Sequence, residues 1–162
     1  MLTLEEMLLR LGLAVLLGLI IGLEREFAGK EAGLRTDMMV AAGAAIFSIV
    51  GLSLPYIVAV SPENLPEVIA RNSGFLTVIA NIIIGVGFLG TGIIVKHGMH
   101  VRGLTTAATV WFVAAIGVLC GIGLINFAII SAVGVTFILG ILRMVNPRMF
   151  LGKEAESEAE GK

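Results

Sequence analysis

The stretch FLTVIANIIIGVGFLGTGIIV, residues Phe75–Val95, runs for 21 residues without a charged side chain. About 20 apolar residues in a helix cross the roughly 30 Å hydrocarbon core of a bilayer. Four further apolar stretches of similar length lie on either side of it, and we predict from them an all-α membrane protein with five transmembrane helices. The predicted helices are Met7–Leu23, Met38–Val60, Phe75–Val95, Thr106–Gly121 and Leu124–Leu142.

The composition of the 162-residue chain indicates the same class of protein. Hydrophobic residues make up 57% of the chain and charged residues 14%, and its mean hydropathy is +1.03. These values exclude an ordinary soluble domain. We predict a five-helix transmembrane domain over residues 1–150, with a polar loop at Ser61–Gly74, and a disordered cytoplasmic tail over residues 151–162.

The basic residues between the apolar stretches predict how the helices are oriented. With five crossings, only Arg10 and Arg71 fall on one side of the membrane. Loops rich in Lys and Arg stay in the cytoplasm, so we expect the N-terminus outside and the C-terminus in the cytoplasm. The cytoplasmic side receives the other nine basic residues: Arg25, Lys30, Arg35, Lys96, Arg102, Arg143, Arg148, Lys153 and Lys162.

Glycines inside the apolar stretches predict close helix packing, because small residues let helix backbones approach each other in lipid. Gly18 and Gly22 are four residues apart, as are Gly117 and Gly121. Because five helices leave little room for a sealed pathway within one chain, we expect a homodimer packed through glycine faces. The third stretch holds the densest group of glycines: Gly85, Gly87, Gly90 and Gly92.

Two short segments suggest an internal repeat. Gly33-Leu34-Arg35-Thr36 opens the second predicted helix, and Gly103-Leu104-Thr105-Thr106 opens the fourth. Each follows a Gly-rich helix that enters from the outside. We therefore predict a weak parallel repeat of helices one and two in helices three and four, with chance similarity as the alternative.

Charged residues gather where the first predicted helix ends and the second begins. Carboxylates at membrane depth are costly and usually pair or face water. Glu24 and Asp37, with Arg25 and Arg35 as their natural partners, therefore predict an ion-pair network that is either functional or architectural. The other charges of this segment are interpreted as a solvated loop: Glu26, Lys30 and Glu31.

The threonines at the starts of the second and fourth predicted helices suit N-caps. Thr36 and either Thr105 or Thr106 carry hydroxyl oxygens that can accept from free helix amides. If these two helix starts converge, their backbone amides form an anion-attracting rim together with Arg35 and Arg102.

Two further polar features could serve an ion. Glu24 and Asp37 are candidate ligands for hydrated Mg²⁺, which binds oxygen and keeps most of its waters; no other cofactor is expected. Asn81 is the most polar side chain within the third stretch. It either hydrogen-bonds to a neighbouring helix or lines a polar pathway.

The sequence offers no catalytic set. It contains no nucleophile, phosphate-binding loop or paired acid and base at a usable spacing. We therefore expect a protein that is not an enzyme and has no nucleic-acid partner. Its expected surroundings are membrane lipid, and another membrane protein is a candidate partner.

Four blocks in this order resemble the MgtC/SapB family of bacterial inner-membrane proteins. The similarity spans about residues 10–123, and four ordered blocks are more specific than any one of them. The blocks are Leu17–Glu26 (LGLIIGLERE), Ala32–Thr36 (AGLRT), Gly85–Gly92 (GVGFLGTG) and Val101–Trp111 (VRGLTTAATVW).

The resemblance implies a five-helix domain in the inner membrane and an association with Mg²⁺ homeostasis. Family members are described as transport-related or as regulators of membrane ATPases. The leading hypothesis is a protein that transports or senses a small ion through a charged site at the cytoplasmic ends of helices one, two and four. The alternative is a non-transporting regulator that binds another membrane protein such as an ATPase. Besides the glycines of the third helix, the resemblance carries over to Glu24, Arg25, Arg35, Thr36, Arg102, Thr105 and Thr106.

Two departures from the family pattern bear on function. Thr77 and Asn81 stand where the family commonly has an Arg and a Gln, so a charge-based mechanism at that position is not implied. Regulatory members commonly carry a soluble C-terminal domain that this sequence lacks, and we take its absence as favouring a self-sufficient membrane function.

Overall fold

The computed structural model describes residues 2–59, 61, 63–71, 74–97 and 100–145. Within these residues the chain forms six α-helices and one antiparallel β-hairpin. In chain order the elements are α1 (Leu4–Phe27), α2 (Leu34–Val58), α3 (Leu65–Arg71), α4 (Gly74–Ile93), β1 (Val95–His97), β2 (His100–Arg102), α5 (Leu104–Ile122) and α6 (Ile125–Val145).

Five of these helices are long and apolar enough to cross a membrane: α1, α2, α4, α5 and α6. The predicted all-α architecture with five transmembrane helices is therefore confirmed. The largest differences in helix bounds occur where charges begin, since α1 ends at Phe27 rather than Leu23 and α2 begins at Leu34 rather than Met38. Both helices therefore continue past the apolar core, and the predicted charged group lies largely on helical backbone.

Two small elements were not predicted from the sequence. The short helix α3 lies in the segment predicted to be a polar loop, and the β-hairpin lies between α4 and α5. The hairpin pairs Val95 with Arg102 and Lys96 with Val101. Strands of three residues are too short to show an alternating pattern in the sequence. The predicted tail and the limit of the membrane domain at residue 150 lie outside the described residues and stay predictions.

Helices α1, α2 and α5 form the centre of the bundle. The sides that face one another bury small and branched apolar residues, whereas the outer faces of the helices are apolar and exposed, as contact with lipid requires. Helix α4 packs against α2 and α5 around a smaller cluster of Ala44, Ile82 and Ala114. The main core consists of Ala14, Leu17, Ile21, Ala41, Ala45, Val113, Ile116, Cys120, Ala128 and Ala132.

Four glycines let α2 approach its two central neighbours. A Cβ built at Gly18 would lie 2.7 Å from the carbonyl oxygen of Asp37, and one at Gly22 would lie 2.7 Å from the Cα of Leu34. On the other side of α2, a Cβ at Gly117 would collide with the carbonyl oxygen of Ala41. A Cβ at Gly121 would lie 2.7 Å from the Ala45 carbonyl oxygen. At these crossings the backbones are too close for a side chain.

The glycines of α4 behave differently from those of α1 and α5. Gly90 is buried and makes an ordinary contact with Ala107 of α5. Gly85, Gly87 and Gly92 have open space within 4 Å of the position a Cβ would take. These three glycines therefore do not create a close helix contact within the described part of the chain.

One end of the bundle carries the hairpin, the C-terminus of α1 and the N-termini of α2 and α5, and we call it the hairpin end. Both helix starts there use glycine as the N-cap, Gly33 for α2 and Gly103 for α5, so the N-cap residue itself offers no side-chain hydrogen bond. The predicted threonine N-caps are therefore wrong, because both helices begin before the threonines. Gly33 is extended, whereas Gly103 has φ +84° and lies against the carbonyl oxygen of Ile93.

The two Gly-Leu pairs of the predicted repeat occupy equivalent places in the fold. Each glycine is the N-cap of a central helix and each leucine, Leu34 or Leu104, is its first residue. The connections that precede them differ, since a six-residue loop leads to α2 and a hairpin leads to α5. The repeat of two helices stays a prediction.

At the opposite end of the bundle, Arg10 of α1 binds the C-terminus of α5. Its Nη1 donates to the carbonyl oxygen of Gly121 at 2.8 Å, one of the carbonyls that a helix leaves unpaired at its end. The helix then ends at Gly123, which adopts the left-handed conformation with φ +91°. A cation at a helix C-terminus is electrostatically favourable.

Candidate functional site

Arg25 is the buried centre of the hairpin end. It lies in the last turn of α1, and only 3% of its surface is exposed. Three residues along a helix correspond to about 300° of rotation, so Arg25 faces the same side of α1 as the packed Gly22. Its Nη2 donates a hydrogen bond of 3.2 Å to Oγ1 of Thr106 in the first turn of α5. This contact joins α1 to α5.

Thr106 is also hydrogen-bonded to the loop between α1 and α2. Its hydroxyl donates to Oε2 of Glu31 at 2.9 Å while it accepts from Arg25. The carboxylate of Glu31 accepts hydrogen bonds from its own backbone amide and from Thr106, and these two bonds, the first the larger cause, lower its pKa from the ordinary value. Arg25, Thr106 and Glu31 therefore form one hydrogen-bonded chain. Glu31 is an exposed loop residue, as interpreted from the sequence, and in addition it accepts this hydrogen bond from α5.

Asp37 is the most deeply buried carboxylate of the site. It lies in the first turn of α2 with no exposed surface. Neither of its carboxylate oxygens has a hydrogen-bond partner among the described residues. Arg25 is close enough to interact with it electrostatically. The site therefore holds a buried carboxyl group and a buried guanidinium group, and the hydrogen bond of the guanidinium goes to Thr106.

A cavity of about 580 Å³ lies between α1, α5, α6 and the hairpin, and we call it the α5 cavity. Two carboxylates, Glu24 and Glu31, line it. The N-terminal turn of α5, which includes Thr105 and Thr106, forms one wall. Four basic side chains also line the cavity: Arg25, Lys30, Arg102 and Arg143.

Arg143 of α6 closes one side of the α5 cavity. Its Nη2 donates to the carbonyl oxygen of Phe27, the last residue of α1, at 2.8 Å. Arg143 was recognised in the sequence only as a basic residue of the cytoplasmic side. In the sequence, Arg143 is visible only as a positive charge at the end of the last apolar stretch. The sequence does not show that the end of α6 lies next to the end of α1.

Arg35 and Thr36 lie in a second cavity of about 550 Å³ at the same end. This cavity is lined by residues of α1, of the following loop and of the start of α2. Oε2 of Glu26 accepts a hydrogen bond of 3.1 Å from the backbone amide of Leu34 and so caps α2. Glu26 is exposed, as interpreted from the sequence, but it lies in α1 rather than in a loop, and its carboxylate also caps α2.

Glu24 and Asp37, the predicted ligands of a hydrated Mg²⁺, lie at different positions around α1. Glu24 lies two residues after Gly22, about 160° around the α1 axis from it, and lines the α5 cavity. Asp37 lies on the opposite side of α1, where its backbone contacts Gly18. Among the described residues, no group of three or more His, Cys, Asp or Glu side chains converges as a metal site. A hydrated Mg²⁺ held by fewer carboxylates stays a prediction.

Asn81 lies away from the charged residues. It is exposed and lines an apolar groove of about 590 Å³ between α2 and α4, together with Gly85. Twelve residues separate it from Ile93 at the end of α4, which corresponds to about 18 Å along the helix. The structure therefore does not join Asn81 to the charged cluster.

The comparisons with known proteins agree on one family. The MgtC family model matches residues 11–148. A relative named Protein MgtC from Brucella abortus is 48% identical over 134 residues, which cover 83% of this chain and 49% of that protein. Protein MgtC from Salmonella typhimurium is 44% identical over 126 residues, which cover 78% of this chain and 48% of that protein. An uncharacterized protein from Synechocystis sp. is 42% identical over 128 residues, which cover 79% of this chain and 48% of that protein.

These matches define the family at the level of the membrane domain. No solved structure matches the chain. The chain spans about half the length of the curated relatives it matches. The matched residues contain all five membrane-spanning helices except the first turns of α1. This multi-pass membrane protein therefore belongs to the MgtC family.

Proposed function

We propose that this protein supports Mg²⁺ homeostasis in the bacterial inner membrane by moving or sensing a small ion at the hairpin end, which faces the cytoplasm. The observation that carries the proposal is Asp37, a fully buried carboxylate without a hydrogen-bond partner among the described residues. Ionisable groups inside membrane helices are costly, and they usually mark an ion pathway or a proton relay.

A change in the charge of Asp37 can affect the packing of the helices through Arg25. Arg25 is the cation that interacts with it, and Arg25 is also hydrogen-bonded to Thr106 of α5. A cation or proton that reaches Asp37 competes with the electrostatic attraction between Asp37 and Arg25. The occupancy of Asp37 would therefore change how firmly α1, α2 and α5 are held together, which suits either transport or sensing.

The proposal is tested by replacing Asp37 with its neutral isostere. Wild-type protein in proteoliposomes is expected to show Mg²⁺ flux or Mg²⁺-dependent thermal stabilisation, and Asp37→Asn should abolish it. Glu63→Gln is the matched control, because it removes one carboxylate from an exposed position outside the spanning helices. Wild-type behaviour in Asp37→Asn, or no Mg²⁺ response in the wild type, would contradict the proposal.

We also propose that two copies of the chain associate through α4. Gly85 and Gly92 are seven residues apart and thus share one face of the helix, and both face open space. Only 11% of the apolar membrane-spanning segment of α4 is buried within the chain, compared with 56% of that of α5. A glycine face without a partner in its own chain suits close approach by another helix.

The same surface supports the alternative function, a non-transporting regulator that binds another membrane protein such as an ATPase. Native mass spectrometry in lipid separates the two readings. A dimer that is lost on replacing Gly85 and Gly92 by leucine supports self-association. A monomer that shows no Mg²⁺ response but retains a membrane ATPase on purification supports the regulator.

A further inference from the structure

We infer that the α5 cavity is a binding site for a phosphate group, carried either by an anionic lipid headgroup or by free phosphate. The inference goes beyond the proposed ion function, because it concerns Arg102, Arg143 and the start of α5 rather than Asp37. It does not require transport.

The charges that line the cavity favour an anion. Four basic side chains outnumber the two carboxylates, Glu24 and Glu31. One of these carboxylates, Glu31, already accepts a hydrogen bond from Thr106. Two of the basic groups, Arg102 and Arg143, are arginines at exposed positions. Arginine presents a planar fork of donors that binds phosphate oxygens in pairs.

The start of α5 adds backbone donors to the same wall. Gly103, Leu104, Thr105 and Thr106 all line the cavity, and the N-cap of this 19-residue helix offers no side-chain hydrogen bond. The first amides of a helix point away from its body and carry the positive end of the helix dipole. An anion in the cavity would therefore meet both arginine side chains and helix amides.

A buried donor of the cavity also lacks an acceptor. Arg25 is only 3% exposed and lines the cavity, yet its Nε has no hydrogen-bond partner among the described residues. A buried polar group without a partner costs free energy. Nη2 of the same guanidinium is already bound to Thr106, so Arg25 is held in place from α5 and its positive charge lies beside the cavity. Oε2 of Glu24 is also buried without a hydrogen-bond partner among the described residues, and it leaves room for only one anion next to the arginines.

The inference is tested by measuring ligand binding to the purified full chain in a neutral detergent. The ligands are phosphatidylglycerol, phosphatidylcholine and inorganic phosphate. Native mass spectrometry measures the binding of the lipids, and calorimetry measures the binding of phosphate. Phosphatidylglycerol should bind more tightly than phosphatidylcholine, whose choline group adds a positive charge. Arg102→Gln and Arg143→Gln should each weaken the binding of the preferred ligand by about tenfold, the effect of losing a charged hydrogen bond.

Lys96→Gln is the matched control, since Lys96 is an exposed basic residue of the same hairpin that does not line the cavity. Loss of phosphatidylglycerol binding in Arg102→Gln but not in Lys96→Gln assigns the site to a lipid headgroup. The same pattern for inorganic phosphate alone assigns it to free phosphate. Equal binding in Arg102→Gln and wild type, or an equal loss in Lys96→Gln, would overturn the inference. If Arg143→Gln fails to fold, the comparison of Arg102→Gln with Lys96→Gln is sufficient to test the inference.

Discussion

At the scale of single residues, the hydroxyl of Thr106 joins three parts of the chain. It accepts from Arg25 and donates to Glu31, which lie 81 and 75 residues away in sequence. The sequence identified Arg25 and Thr106 as candidates from their types and from the family blocks. It did not identify Glu31, because a carboxylate in a short loop is usually solvated and its distant partner leaves no local pattern.

Thr106→Val tests whether this hydroxyl stabilises the fold. Valine has almost the same shape, so the change removes the two hydrogen bonds and leaves the packing in place. Because buried Arg25 then loses its acceptor, we expect a loss of about 1–2 kcal/mol in the free energy of unfolding. Unfolding in mixed micelles by a denaturing detergent measures this difference.

Thr109→Val is the control for that experiment. Thr109 is also buried in α5, but its hydroxyl donates only to the carbonyl oxygen of Thr105, one turn earlier in the same helix. Such a bond adds little to helix stability, so we expect a change within about 0.5 kcal/mol. Equal losses in the two variants would show that the link between helices contributes nothing of its own.

Glu31 predicts a pH dependence of stability. Its pKa is lower in the folded protein than the ordinary value of 4.5 because the ionised form accepts hydrogen bonds. Its contribution is therefore fully present above pH 4.5 and is lost as the pH falls through the lower folded-state pKa. Thermal unfolding of the wild type should lose stability over that acidic range, and Glu31→Gln should lose less. Parallel curves for the two proteins would refute this role of Glu31.

At the scale of the elements, hydropathy was enough to predict the five spans but not their ends. The apolar stretches stop at Leu23 and start again at Met38, whereas the helical backbone continues to Phe27 and resumes at Leu34. A charged residue can leave the hydrocarbon without leaving the helix. The N-caps were missed for the same reason, since Gly33 and Gly103 carry no side-chain signal and lie before the threonines.

The crossing of α2 and α5 predicts a strong effect of one methyl group. A Cβ at Gly117 would collide with the backbone oxygen of Ala41, which cannot move aside like the tip of a flexible side chain. We expect Gly117→Ala to destabilise the protein by about 1–3 kcal/mol, the usual cost of overpacking. Unfolding in mixed micelles measures the change.

Gly134→Ala in α6 is the matched control for the α2–α5 crossing, because a Cβ there meets nothing within 4 Å. Alanine favours helix over glycine, so this variant should lose no stability. If both variants behaved alike, the close approach of α2 and α5 would not depend on Gly117.

At the scale of the whole molecule, both proposed functions lie at the hairpin end because charged residues from several elements gather there. The four basic residues of the α5 cavity come from α1, its following loop, the hairpin and α6, so no single segment of sequence shows the cluster. Counting basic residues by loop predicted the side of the membrane on which they gather. It could not predict that they line one cavity, because this depends on α6 returning to the end of α1.

The orientation of the bundle was predicted from the same charges, and it can be measured directly. We expect Glu63→Cys, in the segment beyond α2, to react with a membrane-impermeant maleimide on intact spheroplasts, and Lys96→Cys, in the hairpin, to react only after lysis. Both positions are exposed, so accessibility should depend on the side of the membrane alone. The background is Cys120→Ala, which removes the single native cysteine, a buried one. The reverse labelling pattern would place the hairpin end outside. The basic α5 cavity would then face away from the cytoplasm. The proposed orientation, which assumes that cationic loops stay on the cytoplasmic side, would then be wrong.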